Sequence, residues 1–153
     1  LEAAYTRAMR NPGREFSAGR VTYLFDRHHL WYVLPSGRIL CYPFARLEAD
    51  GVSYLKAAWK PAADAKEWPR ARLWRGLACE NITQATANDL LRHALAQLEH
   101  VVLHVHDEIV MEVPEAEADR AKAELQRVMC TPPAWAQGFP LKAEVKVMQQ
   151  YGK

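Results

Sequence analysis

The sequence predicts an α+β fold in which an antiparallel sheet is covered by helices on one face. The first observation is the order of patterns along the 153 residues, which runs helix, strands, long helix, hairpin, helix and strand. The second is the 50% share of hydrophobic residues, which is enough for a core and argues against disorder. The third is Val101–Val113 (VVLHVHDEIVMEV), where two apolar runs flank a charged break and predict a hairpin.

The first half of the chain is predicted to hold one helix and several strands. Leu1–Arg10 has a helical pattern, which Asn-Pro-Gly at 11–13 ends. β-branched and aromatic residues predict strands at 21–25, 29–34, 38–44 and, weakly, 53–60. A Pro-Ser-Gly turn joins the second and third of these into a hairpin, while 45–52 and 61–69 are expected to be connections.

The second half is predicted to hold two helices, the 101–113 hairpin and a final strand. Cys79–Glu99 has the clearest helical pattern, with an apolar stripe toward the core. The stripe consists of Leu91, Ala94, Leu95 and Leu98. Glu115–Met129 predicts another helix, which Thr-Pro-Pro ends. Leu141–Met148 alternates apolar and charged residues, as a half-exposed strand does.

Charge is distributed unevenly along the chain. Residues 1–80 carry 13 Lys and Arg against 8 Asp and Glu, a balance of +5, whereas residues 81–153 carry 7 against 10, a balance of −3, which together give the net +2. This asymmetry indicates a polyanion-binding surface beside a cation site, and ordinary scatter of surface charge is the alternative.

Cysteine usage and hydropathy exclude several protein classes. The three cysteines, Cys41, Cys79 and Cys130, are widely spaced and form no C-x-x-C pair. This argues against a disulfide framework or a zinc knuckle and favours a reducing, cytoplasmic setting. No apolar run approaches about 18 residues, so we expect no membrane span, and no signal peptide is recognisable.

Two stretches have the composition of nucleic-acid contacts. In Trp68–Gly76 (WPRARLWRG), arginines including Arg75 alternate with tryptophans, which suits phosphate binding and base stacking. The alternative is a solvated arginine face with the tryptophans in the core. In the following helix Asn81, Gln84 and Asn88 share one face, which is either simply solvated or able to reach base and sugar edges.

The tip of the 101–113 hairpin is predicted to carry His106, Asp107 and Glu108. Two neighbouring carboxylates on a rigid turn suit Mg²⁺, which takes one or two carboxylates and borrows phosphate oxygens from its substrate. A zinc hydrolase using His104, His106 and Asp107 is less favoured, because alternation on a strand turns Asp107 away from both histidines and no further histidine cluster follows. A charged turn without function is the third possibility.

Four stretches together resemble the family A DNA polymerases (the DNA polymerase I family). VHDEIVMEVP at 105–114 is similar to their motif C, and NITQATANDLL at 81–91 is similar to the helix that precedes it. LPSGRIL at 34–40 with the following tyrosine, and the closing stretch 133–153, resemble phage-type members, which suggests a prophage origin. The resemblance extends from Leu1 to Lys153 and implies a palm-like domain.

The resemblance implies roles for individual residues. Asp107 matches the motif C aspartate that holds catalytic metals, Glu108 the adjacent carboxylate, and His106 a residue near the primer terminus. Gln84 matches a glutamine on the DNA-facing helix. The remaining DNA-contact candidates are Asn81, Asn88 and, as a phosphate contact, Arg75. The implied cofactor is Mg²⁺, and the implied partners are a DNA primer–template and deoxynucleoside triphosphates.

Two segments of the family pattern are missing. The sequence has no D-Y-S-x-I-E-like motif A and no motif B helix, so we expect residues 1–20 to be the end of a fingers-like segment and residues 21–153 to be the palm-like domain. Because two-metal catalysis needs carboxylates from both motifs, the chain alone is predicted to be inactive.

Two further expectations follow. The surface that the missing palm strand normally covers would be open, so a homodimer is predicted. The main alternative function is a non-catalytic nucleic-acid-binding remnant, and the metal-dependent hydrolase is the less favoured one.

Overall fold

A computed structural model describes residues 1–57 and 68–152, which separate into two compact units, Leu1–Ala85 (unit 1) and Thr86–Lys153 (unit 2). Helix α2 runs from Arg75 to Leu95 and therefore belongs to both units. The other elements are α1 (Glu2–Arg10), β1 (Glu15–Ala18), β2 (Val21–Asp26), β3 (His29–Val33), β4 (Ile39–Tyr42), β5 (Arg46–Glu48), β6 (Gly51–Leu55), β7 (Arg70–Leu73), β8 (Val101–Val105), β9 (Glu108–Met111), α3 (Ala118–Cys130) and short 3-10 helices at Glu115–Glu117 and Ala134–Ala136.

The predicted α+β class, with antiparallel sheets and helices, is confirmed. The described strands form three sheets rather than one, with the orders β1-β2-β3-β4, β5-β6-β7 and β8-β9. The predicted β3–β4 hairpin is present, with Leu30 opposite Tyr42 and Val33 opposite Ile39. None of the described helices is long and apolar enough to cross a membrane.

The prediction of a loop at 45–52 is wrong. Strands β5 and β6 form a hairpin there, in which Glu48 pairs with Gly51 around a two-residue turn. Strand β5 has only three residues, all exposed, which is too short a stretch for alternation to mark it as a strand. The weak strand predicted at 53–60 is β6, displaced toward its start, and the rest of that prediction and most of the 61–69 connection lie outside the described residues.

The core of unit 1 is built around a row of five buried tyrosines, here called the tyrosine row. Neighbouring rings are 4.9 to 6.1 Å apart between centroids, with edge-on geometry at both ends of the row and tilted or stacked geometry in its middle. The row consists of Tyr5, Tyr23, Tyr32, Tyr42 and Tyr54. Burial raises the pKa of Tyr5 to about 12 and raises those of the other four as well. Helix α1 supplies Tyr5 and so closes one face of the four-stranded sheet.

Unit 2 has a smaller core, formed by the second half of α2, the hairpin and α3. Its buried members are Leu91, Ala94, Ile109, Leu125 and Val128. The predicted stripe on α2 is confirmed, since Leu95 and Leu98 pack against this cluster, although Leu98 lies beyond the last helical residue.

The prediction of a strand at Leu141–Met148 is wrong. The expected alternation does occur, because Leu141, Ala143 and Val145 are half-buried while the charged residues between them are exposed. No described strand pairs with the segment, however. It is held instead by a bond from the Gln126 side-chain nitrogen to the Ala143 carbonyl (3.1 Å) and by packing of Val145 on the unit 2 core.

Candidate active site

The hairpin tip is a two-residue turn that holds Asp107 in solvent. Val105 pairs with Glu108, so only His106 and Asp107 lie between the strands. His106 has φ +53°, which is uncommon for a side-chain-bearing residue and is required at the first turn position by the tight turns that hairpins use. The turn is short and fixed by the ladder on both sides, so Asp107 sits on a rigid support while its carboxylate stays exposed.

Glu108 is placed next to this turn but not within it. It is the first residue of β9 and is exposed, whereas the sequence analysis assigned it to the tip. Its Oε2 accepts a bond from the Tyr151 hydroxyl at 3.3 Å. Desolvation raises the pKa of Tyr151, and the nearby Glu108 carboxylate adds to the effect. Sequence analysis missed Tyr151, because nothing in a polar terminal stretch signals a contact 43 residues away.

A β-bulge changes which hairpin residues share a face. The register passes from Val101–Met111 directly to Leu103–Val110, so β8 contains one extra residue at that point. Val101, Ile109 and Met111 therefore face the core, whereas Leu103 and Val105 are exposed.

The position of the turn also determines where the two histidines, His104 and His106, lie. The expectation that His104 and His106 share a strand face is wrong, because β8 ends at Val105 and His106 belongs to the turn. In the parts of the chain that the structure covers, no three His, Cys, Asp or Glu side chains converge as a metal site.

Asn81, Gln84 and Asn88, here called the amide row, lie on α2 as the sequence predicted, but their environments differ. Asn81 is half-buried, and its side-chain nitrogen donates to the Tyr42 hydroxyl at 3.1 Å. Gln84 is exposed and donates to Glu80 at 3.3 Å, while Asn88 is exposed and lies in unit 2. The Asn81 amide is thus engaged inside unit 1, and Gln84 and Asn88 are the members open to a ligand.

The β3–β4 hairpin supports this part of α2 at two points. An Arg38 guanidinium nitrogen donates to the Ala85 carbonyl at 2.6 Å, and Tyr42 accepts from Asn81. Ala85 and Asn81 are four residues apart, about one helical turn, so both bonds lie on one side of the helix. Sequence analysis found the Pro-Ser-Gly turn but missed this role of the arginine that follows it.

The arginines of Trp68–Gly76 are less available than the sequence suggested. Arg70 donates to the Phe44 carbonyl and to Ser53, and Arg72 pairs with Asp50 at 2.5 Å. Arg75 is exposed at the first position of α2.

The tryptophans of the same stretch lie outside the core. Trp68 and Trp74 are 54% and 56% exposed, so the alternative that places them in the core is wrong. The Trp74 indole covers Gly76, where a Cβ would lie 1.8 Å from the ring, so a larger residue at this position would require the exposed ring to move.

The structure places His106 and Asp107 in one turn of unit 2, with Glu108 directly after it, and places the amide row on one helix. Arg75, Asn81 and Gln84 belong to unit 1. Asp107, an exposed residue of the two-residue turn, is the candidate for metal chemistry.

Comparison with known proteins gives two relatives. No family model and no solved structure matches the chain. A protein named DNA polymerase from Bacillus phage SP02 is 34% identical over 158 aligned residues, which cover 100% of this chain and 24% of that protein. A thermostable DNA polymerase I from Thermus filiformis is 42% identical over 72 residues, covering 42% of this chain and 8% of that protein. The chain thus spans about a quarter of the phage relative's length.

Proposed function

Because the chain is homologous to DNA polymerases of the DNA polymerase I family (family A), we propose that it is the C-terminal, palm-like portion of such an enzyme. In the intact enzyme this portion would supply one of the carboxylates for template-directed nucleotidyl transfer. The observation that carries the proposal is Asp107, an exposed carboxylate on a two-residue turn within the stretch that resembles motif C.

The residues present fit Mg²⁺ as a partial ligand set. Asp107 and Glu108 are hard oxygen donors, and Mg²⁺ bound to one or two carboxylates completes its shell with water and substrate phosphate. When bound, such ions activate the attacking hydroxyl and stabilise the leaving pyrophosphate. Asp107 is the proposed direct ligand, and Glu108, restrained by Tyr151, is the proposed neighbour that tunes it. His106 would lie beside the primer terminus.

The proposed DNA surface uses the exposed face of α2. Gln84 and Asn88 are exposed amides one helical turn apart, able both to donate to and to accept from base and sugar edges. Arg75, exposed at the helix start, is the proposed phosphate contact. Asn81 fits a positioning role better than a DNA contact, because its amide is bonded to Tyr42.

The chain alone is proposed to be catalytically inactive. The motif C carboxylates are adjacent, but no third His, Cys, Asp or Glu joins them within residues 1–57 and 68–152. A second metal-binding aspartate, which the family carries in motif A, would have to come from elsewhere. Template-directed extension by the purified chain would contradict this part of the proposal.

The test is binding of a primer–template duplex across a salt series, with and without Mg²⁺. We expect affinity to fall steeply with salt, as for any surface that displaces counterions from phosphates. Gln84→Ala should weaken binding at every Mg²⁺ concentration. Asp107→Asn should abolish only the Mg²⁺-dependent part, while Asp119→Asn, which removes an exposed carboxylate from the start of α3, serves as the matched control.

A non-catalytic nucleic-acid-binding protein is the second candidate. The basic balance of unit 1, +5 from 13 basic against 8 acidic residues, favours it independently of the hairpin. It predicts the same salt dependence but no effect of Asp107→Asn with or without Mg²⁺. The same titration therefore separates the two candidates.

Self-association remains a prediction. The hairpin is a separate two-stranded sheet among the described strands, and its Val102, Leu103 and Val105 side chains are exposed. Such an edge with apolar side chains favours pairing with another chain. Sedimentation velocity should show a concentration-dependent dimer, and a monomer at every concentration would contradict it.

A further inference from the structure

Phe44 has an exposed aromatic ring and a strained backbone conformation. It lies just after β4 with φ +48°, a region that bulky residues rarely adopt, and its side chain is 47% exposed. Strain of this kind persists only where surrounding contacts enforce it, and it is concentrated at functional sites.

A dedicated polar network maintains this conformation. Both terminal guanidinium nitrogens of Arg70 donate to the Phe44 carbonyl, each at 3.1 Å. One of them also donates to Ser53 Oγ at 2.9 Å, and the buried Ser53 hydroxyl donates to Glu48 at 2.5 Å. The two-pronged contact fixes the direction of the carbonyl and with it the backbone conformation of Phe44.

The Phe44 ring belongs to an aromatic cluster with His28, His29 and Trp31. The His28 and Phe44 rings are stacked with centroids 6.1 Å apart, His29 lies 5.3 Å from Phe44, and His29 stacks on Trp31 at 5.4 Å. Burial alternates along β3, so His29 and Trp31 lie on the sheet face opposite the tyrosine row. The aromatic cluster is therefore an ordered set of rings outside the core.

Charges around the cluster are mainly positive. Arg27 precedes His28 in the β2–β3 turn, Arg46 follows Phe44 by two residues, and both are exposed. Two acids oppose them: Asp26 is opposite His29 in the strand register, and Glu48 accepts from the Ser53 hydroxyl that Arg70 also contacts. Ordered rings flanked by guanidinium groups suit a ligand that has both flat π faces and negative charge.

We propose that the aromatic cluster binds unpaired bases of single-stranded nucleic acid by stacking on Phe44 and His28. The arginines Arg27 and Arg46 would neutralise the neighbouring phosphates. The inference rests on the proposed function in one respect: a template strand is the source of such a single strand. It concerns unit 1 alone and requires neither Asp107 nor a metal.

The test is fluorescence anisotropy of a labelled oligothymidylate with the full chain, combined with a thermal melt. Phe44→Asn removes the ring but tolerates the left-handed backbone, so we expect binding to weaken about tenfold while Tm stays the same or rises. Phe44→Tyr keeps a ring and should bind as the parent does. Ile39→Thr removes a comparably exposed apolar side chain (60%) from the same sheet and is the matched control.

Unchanged oligothymidylate binding by F44N, or equal losses for F44N and I39T, would overturn the inference. So would a change in sedimentation without a change in binding, which would assign the cluster to a protein contact. Should F44N unfold, His28→Ala removes an exposed ring from the same stack and is judged by the same tenfold criterion. Loss of primer–template binding with oligothymidylate binding retained would refute the proposed function alone.

Discussion

Units 1 and 2 of the chain are packed very differently. Unit 1 buries a continuous cluster that includes five of the six tyrosines in the sequence, and its four-stranded sheet is covered by α1 on one face. Unit 2 buries only five residues together and leaves Val102, Leu103 and Val105 of its hairpin exposed. Because apolar burial is the main stabilising contribution to folding, unit 1 should be the more stable unit.

The unit expected to be more stable is therefore not the unit that carries the proposed metal ligands. The proposed metal ligands Asp107 and Glu108 belong to the unit with the smaller core, and the proposed single-strand surface belongs to the unit with the larger core. Functional elements are often drawn from the less stable part of a protein, where surfaces remain open to a partner. We therefore expect solution conditions and mutations to affect the two units separately.

Alkaline pH should have the largest effect, and it should act on unit 1. The folded tyrosine row has raised pKa values, about 12 for Tyr5, while the unfolded chain ionises near the ordinary 10.0. The unfolded state then binds fewer protons, so stability is intact below pH 10 and falls as pH rises toward the folded pKa. The slope is at most about 1.4 kcal/mol per pH unit for each tyrosine.

Tyrosinate absorbance during an alkaline titration checks this expectation. Five tyrosines should ionise together with loss of structure, and Tyr151, exposed in unit 2, should ionise as a separate step. Six independent, gradual ionisations would show that the tyrosine row does not control the stability of unit 1.

The next largest effect is expected from Tyr23→Ala. Tyr23 is fully buried between Tyr5 and Tyr32, and removing a large aromatic side chain from a core costs about 3–5 kcal/mol. Val128→Ala removes a smaller buried side chain from unit 2 and should cost less. Hydrogen exchange resolved by peptide should show loss of protection in unit 1 for the first variant and in unit 2 for the second. Equal losses in both units for either variant would mean that the chain unfolds as one.

A smaller contrast is expected inside the tyrosine row. Tyr42→Phe removes the hydroxyl that accepts from Asn81 and should cost about 1 kcal/mol. The Tyr23 hydroxyl is buried and has no hydrogen-bond partner in the described part of the chain, so Tyr23→Phe should be neutral or stabilising by up to about 1 kcal/mol. Urea denaturation of both variants measures the difference. A loss for Tyr23→Phe as large as that for Tyr42→Phe would contradict the assignment.

The smallest effect is expected at the surface of unit 1. Asp50→Asn removes the partner of Arg72 in an ion pair whose side chains are 66% and 57% exposed. Exposed pairs contribute about 0–1 kcal/mol, and less in salt, so the urea midpoint should barely move. A loss above about 1 kcal/mol would show that surface charge, as well as the core, stabilises unit 1.

The sequence predicted those elements whose patterns are strong and local. The hairpin at 101–113 and the stripe on α2 were recognised because apolar residues recurred at strand or helix spacing. Strand β5 was missed because three residues are too few for a strand pattern to be recognised. Residues 141–148 were predicted as a strand because apolar and charged residues alternate there, but no described strand pairs with them. Pairing is a tertiary property that a single segment cannot reveal.

The candidate site was predictable to a similar extent. The turn position of Asp107 followed from the apolar runs on both sides. The contacts that modify the site did not, because Tyr151–Glu108, Tyr42–Asn81 and Arg38–Ala85 join residues 39 to 47 positions apart. Those bonds change the interpretation of Asn81 from a ligand contact to a support.

The extra residue in β8 has a consequence for insertions and deletions. Between the bulge and the turn, the pairs from Leu103–Val110 to Val105–Glu108 are regular, so the position of Asp107 is set by the last three pairs and the two-residue turn. A residue inserted or deleted near Val102 would alter which side chains face the core at the end of β8 away from the turn. The turn that carries Asp107 would keep its geometry. We therefore expect a length change near Val102 to leave Asp107 in the same position relative to the last three pairs of β8 and β9.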